Sequence, residues 1–148
     1  MALRVWARRV GYATAAFINV VILYVINVRP GWHNAPLLTD AAAQVLVLVN
    51  LSLLAGIGAN AVYFVTDGPW VKTVGDLTTT TIGLAVLART WQVFPFDFTA
   101  WTFNWALMAR IVLVVALIGT AVALVVQSVT LLRLAMSNLG RPGGHALR

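Results

Sequence analysis

Four long apolar runs constrain what this chain can fold into more than any other feature of its sequence. They extend over residues 10–28, 41–65, 71–93 and 104–132. A bilayer core about 30 Å thick needs about 20 helical residues, each rising about 1.5 Å, and an open strand would leave its backbone groups unpaired in lipid. The sequence therefore predicts an all-α fold, an integral membrane four-transmembrane-helix bundle.

Composition favours the same class of protein. Of the 148 residues, 61% are hydrophobic and only 9% are charged, whereas a soluble domain carries roughly 25% charged residues. Cysteine is absent, which excludes disulfides and thiolate metal sites. The net charge of +6 lies at the edges of the apolar runs and not on one basic face. We therefore expect membrane lipid as a partner and no nucleic acid.

Prolines, glycines and short polar residues mark the breaks between the runs. The breaks are residues 29–36, 67–70 and 94–97. Thr39 or Asp40 is expected to cap the second helix, because a short side-chain oxygen accepts hydrogen bonds from unpaired backbone N–H groups. This organisation predicts a single membrane domain over residues 1–135 and a short cytoplasmic tail over residues 136–148.

Basic residues near the ends of the runs predict the orientation, because cytoplasmic loops carry an excess of Lys and Arg. With the N-terminus inside, the inner basic residues are Arg4, Arg8, Arg9, Lys72, Arg133, Arg141 and Arg148, and the outer ones are Arg29, Arg89 and Arg110. This asymmetry predicts a multi-pass plasma membrane protein with both termini cytoplasmic. The first run is long and no small-residue cleavage motif follows it, so we expect a retained span and not a cleaved signal peptide.

Polar residues within the spans are where a function would show, because burying them in lipid is costly. The strongest candidates are Asn19, Asn50, Asn60, Thr80 and Gln127. One interpretation is a packed bundle, in which small and weakly polar residues join neighbouring helices. The other is a pathway for water, protons or a small solute. In the second run, one helix face carries Ser52, Gly56, Asn60, Tyr63 and Asp67 at spacings of three and four. Asn60 is the only strongly polar residue of this face near the predicted midplane, and it is not ionisable, so the sequence favours packing.

Arg89 and Arg110 flank the same predicted outer loop and lie one to two turns inside the membrane boundary. Asp97 in that loop and Asp40 before the second helix are their candidate partners. The arginines either extend to lipid headgroups or pair with these carboxylates. Alternatively, all four residues form an outer anion or lipid-phosphate site, for which the planar guanidinium group is well suited.

Residues 91–105, which we call the aromatic segment, contain three Trp and four Phe among fifteen residues. Its aromatic residues are Trp91, Phe94, Phe96, Phe98, Trp101, Phe103 and Trp105. One interpretation is an interfacial anchor in the outer leaflet. The other is a docking surface for a partner subunit or a lipidic ligand.

Charged and catalytic residue types provide few other candidates. Asp67, Lys72 and Asp76 surround one predicted inner turn, where they form a salt-bridged turn or, less favourably, a proton relay. His33 and His145 have no second ligand at metal-binding spacing. No hydrolase, zinc-protease or nucleotide-binding motif is present. We therefore expect no catalytic residue, no metal and no cofactor.

The stretch Ala88–Phe98, the nine Arg to one Lys, and the pattern of four spans are the features that carry a family resemblance. The chain resembles small four-span membrane proteins of high-GC actinobacteria. The resemblance covers the spans, implies a multi-pass bundle and transfers no catalytic residue.

These observations predict a non-catalytic accessory or scaffold subunit, or a lipid-interacting helix bundle, that packs against a membrane-protein partner or against its own copies. The alternative is a small homo-oligomeric transporter or channel. A third hypothesis is a membrane enzyme of lipid or quinone chemistry, which is the least favoured because the sequence shows no general-base constellation.

Overall fold

The computed structural model describes residues 2–139 and confirms the all-α class. Its helices are α1 (Ala2–Asn27), α2 (Ala43–Val65), α3 (Pro69–Val93) and α4 (Trp105–Leu139). Two 3-10 turns, Trp32–Asn34 and Asp40–Ala42, lie between α1 and α2. The predicted inner residues Arg141 and Arg148 and the tail residue His145 lie outside the described residues.

Two helices extend beyond the predicted spans. The first helix begins at Ala2, ahead of residue 10, and the fourth continues to Leu139, beyond both the predicted end at residue 132 and the predicted tail boundary at residue 135. Charged residues end an apolar run in the sequence, but they do not end a helix, because arginine is a good helix former. Neither extension contains proline or glycine, so nothing in it breaks the helix.

The predicted cap of the second helix is wrong, and the cap of α4 was not predicted. The Thr39 side chain makes no capping bond, and Asp40 is not at the cap position of α2, because the chain enters α2 through the 3-10 turn Asp40–Ala42 and Ala42 stands at its N-cap. In that turn the backbone N–H of Ala42 donates to the Thr39 carbonyl at 2.8 Å. At α4, by contrast, Asn104 Oδ1 accepts the backbone N–H of Leu107 at 3.1 Å, which is an N-cap geometry.

The helices pack as an antiparallel row in chain order. Helix α1 packs on α2, α2 on α3, and α3 on α4. Among residues 2–139, no comparably extensive contact joins helices that are not neighbours in the chain. Helices α2 and α3 are therefore covered on two sides, whereas α1 and α4 each have a single helical neighbour.

Three helices of the described chain, α1, α2 and α4, are long and apolar enough to cross a membrane. Helix α3 is also long, but it carries Lys72, Asp76 and four consecutive threonines, Thr78 to Thr81, which make it more polar. The third predicted span, residues 71–93, is thus supported by the length of α3 but not by its hydropathy.

Apolar side chains cover the outside of the row. Large residues such as Phe17, Val47 and Val115 are exposed over 68%, 74% and 65% of their surface. Few described side chains are buried; they include Ala42, Val45, Tyr63, Thr90 and Leu113. A contiguous apolar exterior of this extent is typical of proteins that face lipid or other proteins.

Candidate functional site

The two ends of the row carry different chemistry. We call the end with the N-terminus of α1 the inner end and the opposite end the outer end, after the predicted orientation. The inner end holds a polar cluster, and the outer end holds two connecting segments above an apolar cavity.

Two ion pairs and two tyrosines form the inner polar cluster. Arg8 Nη2 lies 2.9 Å from Asp67 Oδ2, and the Tyr12 hydroxyl is 3.5 Å from the other oxygen of the same carboxylate. Lys72 Nζ lies 2.8 Å from Asp76 Oδ2. The cluster therefore joins α1, the turn after α2, and the start of α3.

Tyr63 is the buried member of this cluster. Its hydroxyl lies 3.0 Å from both the Lys72 carbonyl oxygen and Asp76 Oδ1, and its ring meets that of Tyr12 edge to face at 5.5 Å. The lack of a side chain at Gly75 leaves room for the Tyr63 ring and hydroxyl, because a Cβ at Gly75 would collide with that hydroxyl. The predicted salt-bridged turn contains the expected residues, but Asp67 pairs with Arg8 across the row and not with Lys72.

The polar residues of the spans lie mainly between α1 and α2. Asn27 and Asn50 exchange two amide hydrogen bonds of 2.9 Å, and Asn19 lies so close to Gly56 that a Cβ there would meet Asn19 Nδ2 at 2.5 Å. Asn60 donates to the Gly56 carbonyl of its own helix at 2.7 Å. Asn19, Asn50 and Asn60 thus take part in close helix contacts or local bonds.

The other two span residues lie on α3 and α4. Thr80 is half-buried on α3. Gln127 is half-buried on α4, and its Oε1 is buried without a hydrogen-bond partner among the described residues.

The outer end is closed by two connecting segments that pair with each other. Leu38 and Phe96 form an isolated antiparallel bridge. The backbone N–H of Thr39 donates to Pro95 O at 3.0 Å, and that of Asp97 donates to Leu37 O at 2.9 Å. Sequence patterning did not reveal this contact, because each segment is short, irregular and far from the other in the chain.

An apolar cavity of about 290 Å³, which we call the outer cavity, lies beside this pairing and is partly open. Residues of α1, α2, α3 and both connecting segments line it, among them Val25, Trp32, Val45, Thr90 and Phe96. The lining carries almost no polar surface, and the Thr90 hydroxyl donates to Val86 O at 2.8 Å. Apolar lining residues give no distinctive sequence signal, so the cavity was not predicted.

Arg89 and Arg110 both lie at the outer end, but Arg89 forms hydrogen bonds to glutamine side chains whereas Arg110 lies over aromatic rings. Arg89 donates to Gln44 Oε1 at 3.0 Å and to Gln92 Oε1 at 3.4 Å. The Arg110 guanidinium lies 4.7 Å from the ring centre of Phe94 and 5.9 Å from that of Trp91. Within residues 2–139, neither arginine forms an ion pair with Asp40 or Asp97.

Asp97 instead bonds within its own loop. Its Oδ1 accepts the backbone N–H of Thr99 at 2.9 Å. This backbone hydrogen bond, together with one from the Thr99 side chain, favours the carboxylate and holds the pKa of Asp97 below its ordinary value of 3.8. Asp40 is exposed in the 3-10 turn before α2. The structure therefore brings the predicted anion-site residues to one end without pairing the charges.

The aromatic segment divides into a half-buried part and an exposed part. Phe94, Phe96 and Phe98 are half-buried. The ring of Phe94 meets that of Phe96 edge to face at 5.5 Å, and the ring of Phe96 stacks on that of Phe98 at 6.0 Å. The exposed residues are Trp91, Trp101, Phe103 and Trp105. Trp101, Trp105, Phe98 and Leu37 also line a second apolar cavity, of about 200 Å³.

Within residues 2–139, no three His or Asp side chains gather where a metal ion could bind. Comparison with models of protein families, with curated proteins and with solved structures found no match. Functional arguments therefore depend on the geometry of the two ends and on the apolar exterior.

Proposed function

We propose that the chain is an integral protein of the plasma membrane that acts as a non-catalytic accessory or scaffold subunit. The apolar exterior of α1, α2 and α4 supports placement in lipid, where these surfaces face hydrocarbon. In this proposal α3 crosses as well. It lies between α2 and α4, and the exposed Thr78 and Thr81 hydroxyls donate to carbonyl oxygens of their own helix. The charged residues Lys72, Asp76 and Arg89 lie towards its two ends.

The proposed orientation places both termini in the cytoplasm. Because the chain has no cysteine, a single introduced cysteine can show on which side of the membrane it lies, without labelling of native cysteines in this chain. We expect an impermeant maleimide to label Ala100→Cys on intact cells, and Leu3→Cys and Ser137→Cys only after lysis. Labelling of Ser137→Cys but not of Leu3→Cys on intact cells would mean an odd number of crossings. That result would contradict the proposed crossing of α3, the least apolar of the four helices.

One observation carries the proposed docking role: among residues 2–139, α4 packs extensively on one helix, α3, and exposes apolar residues over the rest of its surface. Val115, Val122 and Val126 are exposed on α4, and nothing lies within 4 Å of where a Cβ at Gly119 would stand. A glycine between exposed valines lets a second helix approach closely. An apolar transmembrane helix of another protein is the partner that fits this surface.

The exposed aromatic residues extend the same surface at the outer end. Trp101 and Phe103 are 54% and 57% exposed and lie just before α4. The cavity between Trp101, Trp105, Phe98 and Leu37 can receive an apolar side chain of the partner. Rigid aromatic residues around a pocket are the usual centre of a protein interface.

Single-cysteine cross-linking at natural expression levels tests this role. We expect Val122→Cys on α4 to give one defined adduct with a different membrane protein. Val21→Cys, the matched control on the apolar surface of α1, should not give it. Adding Trp101→Ala should weaken the adduct without reducing helical content. An adduct containing only two copies of this chain would instead support the homo-oligomeric alternative.

The transporter and enzyme hypotheses remain predictions. Asn27 and Asn50 are paired with each other between α1 and α2, which favours packing over a solute pathway. Solute flux in liposomes, measured for the native chain and for Asn60→Leu, is the test of transport.

A further inference from the structure

The outer cavity has the size and the chemistry of a ligand site. Its volume is about 290 Å³, whereas an apolar cavity of about 150 Å³ already binds benzene and stays free of water. An ordered water needs two to four polar partners. The Thr90 hydroxyl already donates to its own helix. Water is therefore a poor occupant, and a hydrocarbon group is a good one.

We propose that the outer cavity holds one acyl chain of a membrane phospholipid. The helices that form it expose apolar surface to their surroundings, so lipid chains are the most concentrated apolar ligand available. The cavity is partly open, which provides an entry. The inference rests on the proposed membrane placement but not on the proposed docking role of α4.

A positive charge at the outer end, that of Arg89, suits the phosphate group of the same lipid. Arg89 and Gln44, whose side chains are joined at 3.0 Å, directly precede the lining residues Thr90 and Val45. A guanidinium group has more N–H donors than the two bonds of Arg89 use. Arg89 can therefore contact the phosphate of a lipid whose acyl chain lies in the outer cavity.

Filling the cavity tests the proposal. Ala42 is 4% exposed and lines the cavity, so Ala42→Phe places a ring where the acyl chain would lie. Ala35→Phe fills the cavity from the connecting segment and serves as a second variant if the first does not fold. Ala61→Phe is the matched control, because Ala61 is exposed on α2. Circular dichroism identifies the variants that keep the native helical content.

The measurement is native mass spectrometry of the isolated chain in detergent, titrated with phosphatidylcholine. We expect the native chain and Ala61→Phe to retain one phospholipid, and the folded filling variants to bind it about tenfold more weakly, which equals about 1.4 kcal/mol. Retention by a folded filling variant at the native level would overturn the proposal, as would a native chain that retains only detergent. Either failure leaves the cross-linking result for α4 unaffected, because that experiment does not measure lipid.

Discussion

The inner end of the row is held by two ion pairs and a buried tyrosine, whereas the outer end is closed by two paired connecting segments beside an apolar cavity. At the inner end, Arg8–Asp67 and Lys72–Asp76 pair at 2.9 and 2.8 Å, and Tyr63 bonds beside them. At the outer end, the two connecting segments meet beside a cavity of about 290 Å³. Charged side chains and Tyr63 thus link α1, α2 and α3 at the inner end, whereas the proposed binding depends on the apolar and aromatic surfaces of the outer end.

The largest expected effect on stability is at the inner end. A Cβ at Gly75 would collide with the Tyr63 hydroxyl and ring, and that ring is buried. We expect Gly75→Ala to destabilise the protein by about 1–3 kcal/mol, the usual effect of overpacking. Thermal unfolding in detergent, followed by circular dichroism, measures the change.

Gly83 provides the matched control for this substitution on the same helix. Nothing lies within 4 Å of where its Cβ would stand, and alanine is favoured over glycine in a helix by up to about 1 kcal/mol. Gly83→Ala should therefore be neutral or stabilising. Equal destabilisation by both substitutions would show that the Tyr63–Gly75 contact is not specific.

A smaller effect is expected when the Tyr63 hydroxyl is removed. Tyr63→Phe keeps the packing on Gly75 but loses the 3.0 Å contacts to Asp76 and to the Lys72 carbonyl. Since Asp76 keeps its pairing with Lys72, the loss should be about 1 kcal/mol. Tyr24→Phe, at an exposed position of α1, is the control and should leave the unfolding midpoint unchanged. An unchanged midpoint in Tyr63→Phe would contradict the structural role given to the cluster.

The smallest effect is expected at the outer end and depends on pH. The Thr99 hydrogen bonds lower the pKa of Asp97 in the folded protein. The stabilisation is therefore complete above the ordinary value of 3.8 and is lost as the pH falls through the folded pKa. Between about pH 5 and about pH 2, the native chain should lose slightly more stability than Asp97→Asn. Identical pH profiles would show that the Asp97–Thr99 loop does not stabilise the fold.

Sequence patterning located the helices and the breaks between them, because the bilayer span and turn residues such as Gly68 and Pro69 leave strong local signals. The sequence also predicts the ion pair Lys72–Asp76, since residues four apart share a helix face. It does not predict three contacts between distant parts of the chain, Arg8–Asp67, Tyr63–Gly75 and Leu38–Phe96. They depend on how the helices are rotated against each other, and helices that are apolar on all sides carry little information about rotation.

At the candidate sites, too, the decisive contacts depend on how segments distant in the chain are placed against each other. The aromatic segment was visible as a cluster of Trp and Phe, but its division into a half-buried and an exposed part follows from the pairing of the two connecting segments. Arg89 and Arg110 lie at the same end of the row, yet the pairing of Arg89 with Gln44 depends on the α2–α3 register, which the sequence does not reveal. An open α4 surface can be recognised only when its neighbours are known.

Native mass spectrometry of the protein, extracted gently at its natural expression level, is the decisive test of the proposed subunit role. We expect a complex of defined stoichiometry with a different membrane protein, which loses that partner when Trp101→Ala is introduced. A chain that is always found alone, or only in a closed assembly of its own copies, would contradict it.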